Sequence, residues 1–134
     1  MEKVREARRD HVEESLHYLM ITVVAGLLES AGYRVRADHV GGQPARPTPV
    51  GDFVPDIEAT RGEEVHLIEV ETQSTLASPR SQYQLSRLAA TGARAYVAVP
   101  FDCIERARRM REALELDIEI LPCYPFVGHL GVCK

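Results

Sequence analysis

The sequence predicts an α/β fold, a mixed central sheet of four or five strands with helices on both sides. Three observations carry this. Leu16, Leu19, Met20, Val23, Val24, Leu27, Leu28 and Ala31 follow the i, i+3, i+4, i+7 spacing of a helix buried along one side. Val65 to Glu71 and Arg94 to Pro100 are short, nearly continuous apolar runs of the buried-strand type. A second helical pattern separates those runs, so strands and helices alternate along the chain.

In order, residues 3–31 read as one long helix, and Gly32 suits the position just past its end. Tyr33 to Val40 alternates as a half-buried strand. Residues 41–51 hold three Gly and three Pro in eleven positions, which makes a loop able to close over a ligand. Phe53 to Ala59 forms the next strand, and Arg61-Gly62-Glu63-Glu64 turns the chain into the apolar run that starts at Val65. Ser78 and Pro79 make an N-cap and first-turn pair for a helix near Ser81 to Thr91. After the strand Arg94 to Pro100, Phe101-Asp102 starts a third helix with Asp102 as its candidate N-cap. Its Arg106, Arg108, Arg109 and Arg111 lie among Glu105, Glu112 and Glu115, as on an ion-paired outer face. Asp117 to Leu121 is a final short strand. Pro122-Cys123-Tyr124-Pro125-Phe126 and the apolar stretch Val127 to Val132 are expected to pack on the core or on a second copy.

At 134 residues the chain fits one domain, residues 1–134, around a single core. No apolar run is long enough to cross a membrane. The start, Met1-Glu2-Lys3-Val4-Arg5, leads into an amphipathic helix and has no signal-peptide core. Cys103, Cys123 and Cys133 form no even framework and no CxxC pair, so free thiols in a reducing cytoplasm are expected. A net charge of −4 argues against a simple nucleic-acid coat protein. Fourteen Arg against two Lys is a bias that a GC-rich coding sequence explains.

The chemistry gathers in three acids. Asp56 follows Pro55, and Glu69-Val70-Glu71 comes thirteen residues later. In a strand, residues i and i+2 share a face, so Glu69 and Glu71 point the same way, roughly 6.6 Å apart along the strand. Val65 and Leu67 share that face, and Ile68 and Val70 fill the other. Acids on a strand apolar on both faces are costly, and converging acids resist ionising together. A divalent cation removes the repulsion, and Mg²⁺ and Mn²⁺ prefer carboxylate oxygens. The segment therefore reads as a metal site, with metal-assisted hydrolysis as its chemistry. The plainer reading is an edge strand with solvated glutamates, and Phe53, Ile57, Leu67, Ile68 and Val70 around the acids count against it. Gln73 is placed to reach the site from the strand end.

Pro55-Asp56-Ile57 and Ile68-Glu69-Val70-Glu71-Thr72, in this order of elements, resemble the PD-(D/E)XK nuclease superfamily. In layout they are most similar to archaeal Holliday-junction resolvases and small restriction-endonuclease-like proteins. The resemblance covers roughly residues 11 to 100. It implies a restriction-endonuclease-like αβββαβ core and Mg²⁺- or Mn²⁺-dependent hydrolysis of branched or duplex DNA, with a homodimer expected for cleavage of two strands. It implies Asp56 and Glu69 as metal ligands. Glu71 stands where the family pattern has Lys, and the two lysines, Lys3 and Lys134, lie at the chain ends. Glu71 is then a metal ligand or a general base. Related nucleases add a helix acid, for which Glu14 is the first candidate and His17 and Glu13 the next. Gln82 or Gln84 could approach the metal, and Arg80 and Arg87, seven apart on one helical face, could meet phosphate. The alternative is a catalytically inactive nuclease fold that binds DNA or protein.

Overall fold

A computed structural model describes residues 11–38 and 46–123. The element order is α1 (His11–Ser30), β1 (Arg34–Ala37), β2 (Ile57–Arg61), β3 (Glu64–Val70), α2 (Pro79–Ala89), β4 (Arg94–Pro100), a 3₁₀ turn (Phe101–Cys103), α3 (Ile104–Leu114) and β5 (Glu119–Cys123). This is the α/β fold expected, with αβββαβ as its first six elements.

The five strands form one mixed sheet in the order β1-β2-β3-β4-β5. β1, β2 and β3 are antiparallel, while β3, β4 and β5 are parallel. The change follows from connection length. Gly62 and Glu63 alone join β2 to β3, with Gly62 at φ +61, so those strands must be antiparallel. Helices α2 and α3 form the crossovers that parallel pairing requires.

The two faces of the sheet carry separate cores. On one face Met20, Ile21, Val24 and Ala25 of α1 pack on Val35, Ile57, Ala59, Ile68 and Val70. On the other, Leu85 and Leu88 of α2 and Ala107 and Met110 of α3 pack on Leu67, Val97 and Val99. Adjacent residues Leu67 and Ile68 thus serve opposite cores, each burial stabilising by about 1.5–3 kcal/mol. β3 is buried on both faces from His66 to Val70, as its composition predicts. Val65 departs from the expectation: at 36% exposure it lies where the sheet is not yet covered by α2.

Several boundaries shift. The strand expected from Phe53 begins at Ile57, because Val50 and Phe53 bridge each other across a turn with Gly51 at φ +63. The helix expected near Ser81 starts at Pro79, with Ser78 as N-cap accepting from the Ser81 N–H. Asp102 is not the cap of α3; the 3₁₀ turn intervenes, and Cys103 holds the N-cap position without a side-chain capping bond to the helix. The last strand runs two residues later than expected, from Glu119 to Cys123. Expectations for residues 3–10, His39 to Ala45, Tyr124 to Val132, Cys133 and Lys134 lie outside the described residues. Cys103 and Cys123 are buried free thiols, and burial pushes Cys103 up to about 11. Among the described residues no helix is long and apolar enough to cross a membrane.

Candidate functional site

The β2–β3 register decides which acids meet. Ile57 pairs with Ile68, so one step further Asp56 lies opposite Glu69. The Asp38 N–H donates to the Asp56 carbonyl at 2.9 Å and carries the β1 pairing to the same level. β2 ends there, and the Asp56 carboxylate replaces a backbone partner: the Val70 N–H donates to Oδ2 at 2.7 Å. On the other edge of β3, the Glu71 N–H donates to the Ala98 carbonyl at 2.9 Å, which holds Glu71 in line one residue past the strand.

Asp56, Glu69 and Glu71 are all buried. Asp56 and Glu69 lie opposite each other at the strand ends, and their carboxyl groups are close enough to influence one another. Burial raises the Asp56 pKa, but the bonds to His17 and Glu69, the His17 charge and the Val70 N–H together outweigh it and hold the carboxyl below its ordinary 3.8. His17 Nε2 lies 3.5 Å from Asp56 Oδ2. Its other ring nitrogen, Nδ1, is buried with no hydrogen-bond partner among the described residues.

The loop after β3 supplies hydroxyls. Thr75 Oγ1 donates to Glu71 Oε1 at 2.7 Å and accepts from the Thr72 N–H at 3.1 Å. Thr72 Oγ1 donates to Glu13 Oε1 at 3.3 Å, and Ser74 Oγ donates to the same oxygen. Glu13 and His17, one turn apart on α1, therefore close the site from above.

The site lies outside the carboxyl end of a strand at the point where pairing changes from antiparallel to parallel. Crevices beyond strand carboxyl ends are where open α/β sheets bind ligands. A surface groove of about 550 Å³ opens elsewhere, lined by Thr48, Val50, Glu58, Glu64, Val65 and Arg94 among others, and none of the site acids borders it.

No protein-family model, curated protein or solved structure matches the chain.

The structure brings Asp56 and Glu69 into contact and sets Glu71 at the same strand end. It does not bring Glu14 in: that residue is half-buried and makes no hydrogen bond or ion pair among the described residues, while its neighbour Glu13 bonds the loop. Gln73 is exposed. Gln82 turns back on its own segment, its Nε2 donating to the Ala77 carbonyl at 3.3 Å. Thr72, Ser74 and Thr75 are site residues that the sequence reading missed, although a hydroxyl-rich run directly after two strand acids is a usable signal. Among the described residues, no group of three or more His, Cys, Asp and Glu is arranged to hold a metal ion. Asp56, Glu71 and Glu13 each direct an oxygen at protein donors, namely the Val70 N–H, Thr75, and Thr72 with Ser74.

Proposed function

We propose that the chain is a divalent-metal-dependent nuclease that hydrolyses phosphodiester bonds in DNA, branched or duplex. The observation that supports this most is the placement of Asp56 opposite Glu69, both buried, at the carboxyl end of β3. The Val70 N–H and His17 account for Asp56 in the fold, and a second buried carboxyl beside it adds a desolvation cost that a bound cation would offset.

The donor chemistry suits Mg²⁺ or Mn²⁺, since carboxylates from Asp56, Glu69, Glu71 and Glu13 and hydroxyls from Thr72, Ser74 and Thr75 are hard oxygen ligands, and binding would require these side chains to turn from their present partners towards one ion. Asp56 and Glu69 would hold the ion. When bound, it polarises a phosphate oxygen and lowers the pKa of a bound water. Glu71, held by Thr75, orients the attacking water and accepts its proton. His17 fixes Asp56 from α1. A homodimer would supply the second site for cutting both strands.

The second reading, a nuclease fold without chemistry that binds DNA or protein, draws on the inward-directed carboxylates and on Glu71 in place of Lys. The two separate on supercoiled and branched DNA incubated with Mn²⁺ or Mg²⁺. Nicking by the wild type and none by Glu69→Gln supports the nuclease. DNA retained without cleavage in either ion supports the silent module.

A further inference from the structure

Arg80, Tyr83 and Arg87 recur at i, i+3 and i+7, one exposed flank of α2, while Ser81, Leu85 and Leu88 take its buried side. We propose that this flank grips the phosphate backbone of a nucleic acid and leads it to the acids at the end of β3. The proposal rests on the nuclease reading and names the surface that reading needs.

The flank starts at the site. α2 begins directly after the loop that carries Glu71, Thr72 and Thr75, and its N-terminus is fixed by Ser78 Oγ, which accepts from the Ser81 N–H at 3.1 Å. Arg80 is in the first turn. Arg87 lies two turns on, about 10 Å further along the axis at 1.5 Å per residue.

The flank is also held in place. The Tyr83 hydroxyl donates to Asp52 Oδ1 at 3.1 Å, and its ring lies 6.5 Å from that of Phe53. The Arg87 guanidinium lies over Gly51, where a Cβ would come within 3.2 Å of Nη2. The turn from Val50 to Phe53 thus fits against this side of α2, and Gly51 leaves room for the guanidinium.

Both guanidiniums are available. Arg61, Arg94 and Arg108 are paired with Glu64, Glu119 and Glu105. Among the described residues no carboxylate lies within ion-pair distance of Arg80 or Arg87. Asp52, the acid on the adjoining turn, is engaged by Tyr83. Two planar forks in line, with an aromatic hydroxyl between them, suit a repeated phosphate. In a chain of net charge −4, such contact has to come from a local patch.

The test is fluorescence anisotropy of a labelled DNA duplex in Ca²⁺ buffer across a salt series. Each phosphate contact contributes about 0.9 to the slope of log K against log salt. The double variant Arg80→Gln/Arg87→Gln should therefore bind more weakly, with a slope shallower by about 1.8. Arg80→Lys/Arg87→Lys should keep most of the slope. Arg106→Gln/Arg109→Gln, which removes equal charge from exposed positions on α3, should leave it unchanged. An unchanged slope for the α2 glutamine variant, or an equal loss for the α3 variant, overturns the proposal. A wild type that binds no DNA at any salt overturns the nuclease reading itself. Circular dichroism confirms that all variants fold.

Discussion

The Val70 N–H donates to the Asp56 carboxylate at 2.7 Å, and this single bond finishes the β2–β3 ladder where the backbone of β2 stops. Asp56 therefore has a structural duty separate from any chemistry. Asp56→Ala removes the carboxylate acceptor of the buried Val70 N–H, at a cost of about 1–3 kcal/mol. Asp56→Asn keeps an oxygen for Val70 and should cost less. Urea unfolding of the two variants beside wild type measures the difference, and equal stability of both would contradict the assignment.

His66 gives the fold a pH dependence away from the site. Its Nδ1 lies 2.8 Å from the Tyr96 hydroxyl, its ring makes a T-shaped contact with that of Tyr33 at 5.1 Å, and Nε2 is buried with no hydrogen-bond partner among the described residues. Burial lowers its pKa from 6.5, with Arg94 and Arg61 lowering it further against Glu64 and Glu119. A histidine lowered on folding binds its proton more readily in the unfolded chain. Stability should then fall as pH drops below 6.5 and level off below the folded-state value. His66→Gln should remove that part of the slope in urea unfolding at a series of pH values. A slope unchanged in the variant would assign the dependence to another group.

Glu13 and Glu14 separate the structural account from helix phase alone. Glu13 bonds Thr72 and Ser74, whereas Glu14, one residue on, is turned by 100°. Glu13→Gln should weaken Mn²⁺ binding by about 10-fold, as losses around a metal site commonly do, and Glu14→Gln should leave it unchanged. Titration of Mn²⁺ followed by electron paramagnetic resonance reads both. A larger loss from Glu14→Gln would mean that α1 sits in a different rotation.

The order of elements was legible because its signals are local: the α1 stripe, the apolar runs and the short Gly62 turn. The meeting of Asp56 and Glu69 was legible too, since a two-residue hairpin fixes which residues oppose each other. The choice of Glu13 over Glu14 was not. Both border the apolar stripe, and the packing of Met20 and Ile21 on the sheet sets the rotation. Thr72 and Thr75 were hidden because their roles depend on the path of a loop. Phe53 read as strand because its apolar neighbourhood outweighed Gly51, the residue that marks the turn.

Calorimetric titration of Mn²⁺ into wild type and into Asp56→Asn tests the central claim, a divalent-cation site built on Asp56 and Glu69, without any guess about the DNA. The account predicts saturable binding to wild type that is lost in the variant while its circular dichroism stays the same. Equal binding to both proteins, or none to wild type, would contradict it.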